Sequence, residues 1–159
     1  MKHSRLLLVL LALLVGQSIA APRPPTPAAR AAFDRATPLL AAGQPKAEEA
    51  WAALAEAIEA DPDFLAAHEA VDKVREAVRM ATFRNKDLQP AAKALNEAID
   101  ARYAEWGKKF SGSIGLTFFT ASRLYHEEDP KAKDLLLKVA AHDPSFARVW
   151  FMLSIDANR

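Results

Sequence analysis

The chain has 159 residues, with 21 Lys and Arg against 20 Asp and Glu and no cysteine. That length suits one domain of ordinary size. Charge so close to balance leaves no footprint for nucleic acid, and the absence of cysteine excludes disulfides and thiol chemistry.

The first twenty residues read as a cleavable signal peptide. Lys2, His3 and Arg5 form a positive n-region, Leu6–Val15 is an apolar core, and Ser18 and Ala20 are the small residues ahead of a predicted cut after Ala20. Ten apolar residues fall well short of the ~20 needed to span a bilayer, so no stable membrane insertion is expected after cleavage. Cleavage removes Lys2 and Arg5 and leaves 19 basic residues against 20 acidic ones. The expected location is periplasmic or secreted. An Ala/Leu/Arg-rich composition without any Asn-x-Ser/Thr acceptor fits a bacterial periplasm better than a eukaryotic secretory route.

Ala21–Pro27 is a Pro-rich leader, expected to be extended and mobile. The remainder, residues 28–159, reads as one all-α domain. Glycine is scarce, strand-like alternation is absent, and Ala, Leu, Glu and Lys dominate. About seven helices follow from the periodicity.

Thr26 can cap helix one, which runs to about Ala42. Pro38 inside it predicts a kink or break, and Gly43 a stop. Helix two runs from about Pro45 to Ala60, with Ala50, Trp51, Leu54, Ala57 and Ile58 on one face. Asp61-Pro62-Asp63-Phe64 is a turn. Helix three reaches about Thr82, with Ala67, Val71, Val74, Val78 and Ala81 inward and Glu69, Asp72, Lys73, Arg75, Glu76 and Arg79 outward.

A polar break at Arg84–Asp87, with Asp87 as cap, precedes helix four from about Leu88 to Trp106. Its apolar residues keep the period of an ordinary amphipathic helix, and Gly107 should end it. After the Ser111–Ser113 break, helix five covers about Ile114–His126. Asp129 caps helix six, about Pro130–Ala141, which carries Ala132, Leu135, Leu136, Val139 and Ala140 on one face. Helix seven starts at Ser145 and carries Val149, Trp150 and Leu153. Trp51, Trp106 and Trp150 all read as core.

One segment repeats. Placing Pro62 on Pro144 aligns residues 47–64 with 129–146 without a gap, so that Ala50 falls on Ala132, Leu54 on Leu136, and Asp61-Pro62-x-Phe64 on Asp143-Pro144-x-Phe146. A small residue, a large one four later, a small one three after that, and Pro in the turn form the series Ala50, Leu54, Ala57, Pro62. Ala132, Leu136 and Pro144 follow it with Val139 at the second small position, and Trp150 and Leu153 fall where a next unit would open.

In these residues the chain resembles the tetratricopeptide repeat superfamily. That resemblance implies an α-solenoid of antiparallel helix pairs, here three pairs and a terminal helix, with a groove lined by the first helix of each pair. The two Asp-Pro turns lie 82 residues apart, which is not a multiple of the ~34-residue repeat, so the array is degenerate.

No catalytic constellation, cofactor motif or metal-ligand spacing appears, so neither an enzyme nor a cofactor or metal protein is expected. His126-Glu127-Glu128 lacks a second His four residues on, and His142 reads as a charge favoured at a helix C-terminus. The expected function is an exported scaffold that holds a partner protein or peptide. Arg75, Arg79, Arg123 and Arg148, on helices three, five and seven, would form a basic strip for an acidic or carboxylate-ended peptide. The competing reading of those arginines is a surface neutralised by neighbours such as Asp72 and Glu76. Two other functions stand beside this one, the first implied by the resemblance, since similar exported helical segments precede thioredoxin-like domains, although no Cys-x-x-Cys is present here. One is an accessory segment of a larger exported enzyme system, such as a thioredoxin-like reductase. The other is a small-ligand binder with a pocket between helices four and five, where Tyr103, Trp106, Phe110, Phe118 and Phe119 cluster.

Overall fold

Every regular element in the computed structural model, which describes residues 23–156, is helical. The signal peptide and its cut after Ala20 lie outside the described residues. Seven α-helices follow one another: α1 (Pro27–Ala42), α2 (Ala47–Ala60), α3 (Leu65–Arg84), α4 (Gln89–Lys109), α5 (Ile114–His126), α6 (Lys131–His142) and α7 (Ala147–Asp156). Short 3-10 turns at Gln44–Lys46 and Lys86–Leu88 lead into α2 and α4. None of these helices is long and apolar enough to cross a membrane.

Three junctions are built alike. At the ends of α2, α3 and α6, Asp61, Asn85 and Asp143 leave the helix with extended backbone, and each donates its N–H to the carbonyl four residues back. Each Oδ1 accepts from the backbone N–H two residues on, at Asp63 (3.3 Å), Asp87 (3.0 Å) and Ser145 (3.0 Å). Each main-chain oxygen accepts from the third residue on, at Phe64, Leu88 and Phe146. An Asx side chain thus replaces the backbone partner that the ended helix withdraws. The aligned Asp-Pro turns therefore share one hydrogen-bond pattern. Asn85 repeats it without a proline, so the cap of the 3-10 turn that leads into α4 is Asn85 and not Asp87.

Other expectations are corrected by the fold. α1 is not broken at Pro38, while it does stop at Gly43 as expected, where a positive φ of 74° suits glycine. α4 passes through Gly107 and ends at Lys109, where Lys108 and Lys109 lie favourably at the negative end of the helix dipole. Residues 23–26 are pinned and not loose. The Arg23 guanidinium donates to Asp61 Oδ1 (2.8 Å), and the Thr26 N–H donates to Asp61 Oδ2 (3.0 Å). Thr26 Oγ1 then caps α1 by accepting from the Ala29 N–H.

Asp61, only 2% exposed, therefore ties the leader, the end of α2 and the turn into α3. Asp61→Ala is expected to cost about 2 kcal/mol in urea unfolding, because the Thr26 and Asp63 N–H groups lose their acceptor. Asp61→Asn, which keeps one acceptor oxygen, should recover part of that loss.

Two apolar clusters form. The first joins α1 to α4 through Ala32, Ala36, Leu54, Ile58, Val71, Val74, Ile99 and Trp106, and takes in Phe119 of α5. The second joins α5 to α7 through Phe118, Leu136, Val139, Val149 and Met152, and takes in Leu65 of α3. The most extensive helix contacts are α1 with α2 and α5 with α6, and α3 also lies against α5. Small residues face the first of these contacts (Ala29, Ala32, Ala36, Ala50, Ala53, Ala57), which lets helix backbones approach closely. Of the repeat positions, Ala50, Leu54, Ala57, Ala132 and Leu136 are buried and Pro62 and Pro144 half-buried.

Trp150 is not core. It is 48% exposed, and its indole N–H donates to the Pro144 carbonyl at 2.9 Å. Val149 and Met152 face inward instead, while Trp51 is half-buried and Trp106 is 1% exposed.

Candidate functional site

Asp72 lies where α3 meets α5. Ser122 Oγ, on a serine that is itself buried, donates to Asp72 Oδ2 at 2.7 Å. Burial pushes the Asp72 carboxyl above the usual carboxylate range, and the Ser122 hydrogen bond and the charges of His126, Arg148 and Arg75 oppose that rise. One half-buried carboxylate thus bonds to Ser122 and feels the charges of Arg75 on α3 and Arg148 on α7.

The four arginines of the expected strip divide two and two. Arg75 and Arg148 both act on Asp72. The Arg75 guanidinium donates to Asp100 Oδ1 on α4 (2.6 Å) and lies 5.2 Å from the centre of the Phe119 ring. The Arg148 guanidinium lies 5.7 Å from the centre of the Phe151 ring, and the buried Nε of each arginine has no hydrogen-bond partner. Arg79 instead makes a two-pronged contact to Glu76 one turn back, which lowers the Glu76 pKa. Arg123 faces Glu127 at 3.7 Å. Both of these pairs are exposed, and such pairs contribute little to stability.

The aromatic residues expected to line a ligand pocket fill their space themselves. Tyr103 stacks on Phe119 with ring centroids 3.4 Å apart and meets Trp106 edge-on at 5.1 Å. Phe118 packs edge-on against Phe146 in the second cluster. Phe110 of that group lines a cleft of about 210 Å³ with Gly112, Leu116, Thr120 and Leu135. Among the described residues no group of three or more His, Asp and Glu is placed to hold a metal ion.

A second polar centre was not anticipated from the sequence. His68 is fully buried, with Nε2 2.9 Å from the Pro62 carbonyl and Nδ1 2.9 Å from the Tyr103 hydroxyl. A carbonyl only accepts, so Nε2 carries the proton and Nδ1 accepts from Tyr103. Ser113 Oγ donates to the same Pro62 carbonyl at 2.7 Å, and the Ile114 N–H donates to Asp63 Oδ1 at 2.9 Å. Gly115 closes the centre, because a Cβ there would overlap His68 Nε2 and the Pro62 oxygen. The sequence held a signal, since His68 follows Ala67 on the apolar face that continues to Val71 and Val74.

Burial lowers the His68 pKa from 6.5 to about 4, against the raising effects of the Pro62 hydrogen bond and of Asp63 and Asp61. The native ring stays neutral while a solvated ring protonates. His68 therefore favours the folded state fully above pH 6.5, and this contribution falls away as the pH drops toward 4. Up to about 3 kcal/mol is involved. Urea midpoints measured from pH 7 to pH 4.5 should fall accordingly, and the fall should be shallower in His68→Gln.

The described fold is that of an all-α protein with a charged centre on α3, α5 and α7 and a separate buried histidine joint. Compared with protein-family models, curated proteins and solved structures, the chain matches none of them.

Proposed function

We propose that the chain is an exported protein-interaction module, a degenerate tetratricopeptide-like array that holds an acidic or carboxylate-ended peptide on the surface shared by α3, α5 and α7. The observation that carries this reading is that Arg75 and Arg148, from two different helices, each keep a buried Nε without a hydrogen-bond partner and both act on the Asp72 carboxyl. Two further features support the array: the close packing of α1 on α2 and α5 on α6 with α3 against α5, and the common hydrogen bonding of the two Asp-Pro turns.

In this reading Arg75 and Arg148 supply charge-assisted donors to a ligand carboxylate beside the Asp72–Ser122 pair. Arg79 and Arg123 border the groove and act through charge alone: both are exposed and paired on their own helix, whereas Arg75, though paired with Asp100, and Arg148 each keep a buried Nε without a partner. The leader and signal segment deliver the module to the periplasm or cell exterior.

The test is fluorescence anisotropy with a labelled peptide ending in Asp-Glu and a free carboxylate. Arg148→Glu and Arg75→Glu should each weaken binding by about tenfold or more, the scale of one lost charge-assisted hydrogen bond. Arg79→Glu should change it less than about twofold. Equal effects at all three positions would reduce the site to general electrostatics, and no binding by the unaltered protein would remove it.

A further inference from the structure

The two apolar clusters meet at few places. Leu65 of α3 reaches into the second cluster and Phe119 of α5 into the first. Between them lies the His68 centre, which is buried and closely fitted. The Pro62 carbonyl accepts from both Ser113 and His68, the start of α5 is bonded to Asp63, and Gly115 leaves room for the imidazole. Tyr103, bonded to His68, carries the Phe119 stack. One ring thus touches the α2–α3 turn, α3, α4 and the first turn of α5.

We propose that this centre is an acid-operated hinge: protonation of His68 releases α5–α7 from α1–α4 while each group of helices keeps its own apolar cluster. The chemistry is confined to one proton. Neutral His68 donates once, to Pro62, and accepts once, from Tyr103. Protonated His68 has two donors, so the Tyr103 hydroxyl must turn to accept, and its own hydrogen then points into apolar surroundings. The added charge also sits in a fully buried site with no carboxylate bonded to it. Opening relieves both problems by admitting water to the ring.

The groups facing the ring set where this happens. From the α2–α3 turn, Asp61 and Asp63 favour the protonated form, and Asp61 is already paired with Arg23. From α4 comes the Tyr103 hydroxyl, whose own ionisation is pushed well up by burial. From α5 come Ser113 and Gly115, neither of which titrates in this range. On α3, Asp72 and Arg75 act on Tyr103 with opposite signs. The resulting balance lowers the His68 pKa to about 4, so release is expected between pH 6.5 and 4.

Hydrogen exchange followed by NMR on the chain from residue 21 to 159 tests the hinge. Between pH 7 and pH 4.5, after correction for intrinsic exchange, amides of residues 63–68 and 113–119 should lose at least about tenfold in protection, as expected of a local opening. Amides of Leu54, Ile58, Leu136 and Val139, which open only on global unfolding, should stay at least about tenfold better protected than the joint at pH 4.5. His68→Gln should abolish the pH-dependent loss. Asp63→Asn keeps an acceptor for the Ile114 N–H but removes a charge that favours protonation, so it should move the transition to lower pH. Equal protection of joint and core amides at pH 4.5, no loss at the joint, or an unchanged midpoint in Asp63→Asn would each overturn the hinge.

Discussion

Gly115→Ala is expected to destabilise the protein by about 4 kcal/mol, measured from urea midpoints at pH 7.5 by circular dichroism. The sign opposes the usual helix preference, in which alanine at an interior position gains about 1 kcal/mol over glycine. At residue 115 the new methyl would overlap the imidazole Nε2 of His68 and the Pro62 oxygen, one of which is backbone and neither of which is the free end of a flexible chain. Overpacking of this kind costs about 1–3 kcal/mol. Breaking the His68–Pro62 hydrogen bond inside the joint adds about 1–3 kcal/mol more. Gly107→Ala serves as the control. That glycine is also helical, a Cβ there meets nothing within 4 Å, and the substitution should be neutral or stabilising.

Trp106→Ala should also cost about 4 kcal/mol, the usual loss for a buried tryptophan, and should loosen α4 selectively. α4 is 21 residues long yet buries only Leu95, Ile99, Tyr103 and Trp106. The indole of Trp106 packs on Trp51 and Tyr103, and its N–H donates to Glu59 on α2 at 3.1 Å. Removing it opens the widest part of a narrow seam and leaves Glu59 to Arg102 alone. Trp106→Phe, which keeps an aromatic ring but not the N–H, is expected to lose about half as much. Exchange protection should fall in α4 before α2.

What the sequence revealed was whatever local chemistry decides. α5 reads correctly from Ile114 to His126 because Ser113 offers its Oγ to the Leu116 N–H and the apolar period stops where the Glu127 turn begins. The Asp-Pro turns were legible because Asx side chains and proline act within four residues. Asn85 carries the same information in weaker form, since no proline marks it.

The misses are all three-dimensional. Nothing near Gly107 in sequence says that Lys108 and Lys109 will continue the helix. Gly115, two residues past a serine cap and inside a helix, is a costly choice unless something packs on it, and that cost was the available clue. Asp72 looked like part of a solvated face because its partners, Ser122 and Arg148, come from α5 and α7. Trp150 looked like core because its spacing from Leu153 is helical, yet α7 turns Val149 and Met152 inward.

The most direct test of the proposed module is an NMR titration of the isotope-labelled chain with an acidic peptide, run once with a free C-terminal carboxylate and once amidated. The account predicts chemical-shift changes at Asp72, Arg75, Ser122 and Arg148, on α3, α5 and α7, that saturate with the free peptide and shrink at least about tenfold in affinity with the amide. Shifts confined to other helices, or equal binding of the two peptides, would contradict it.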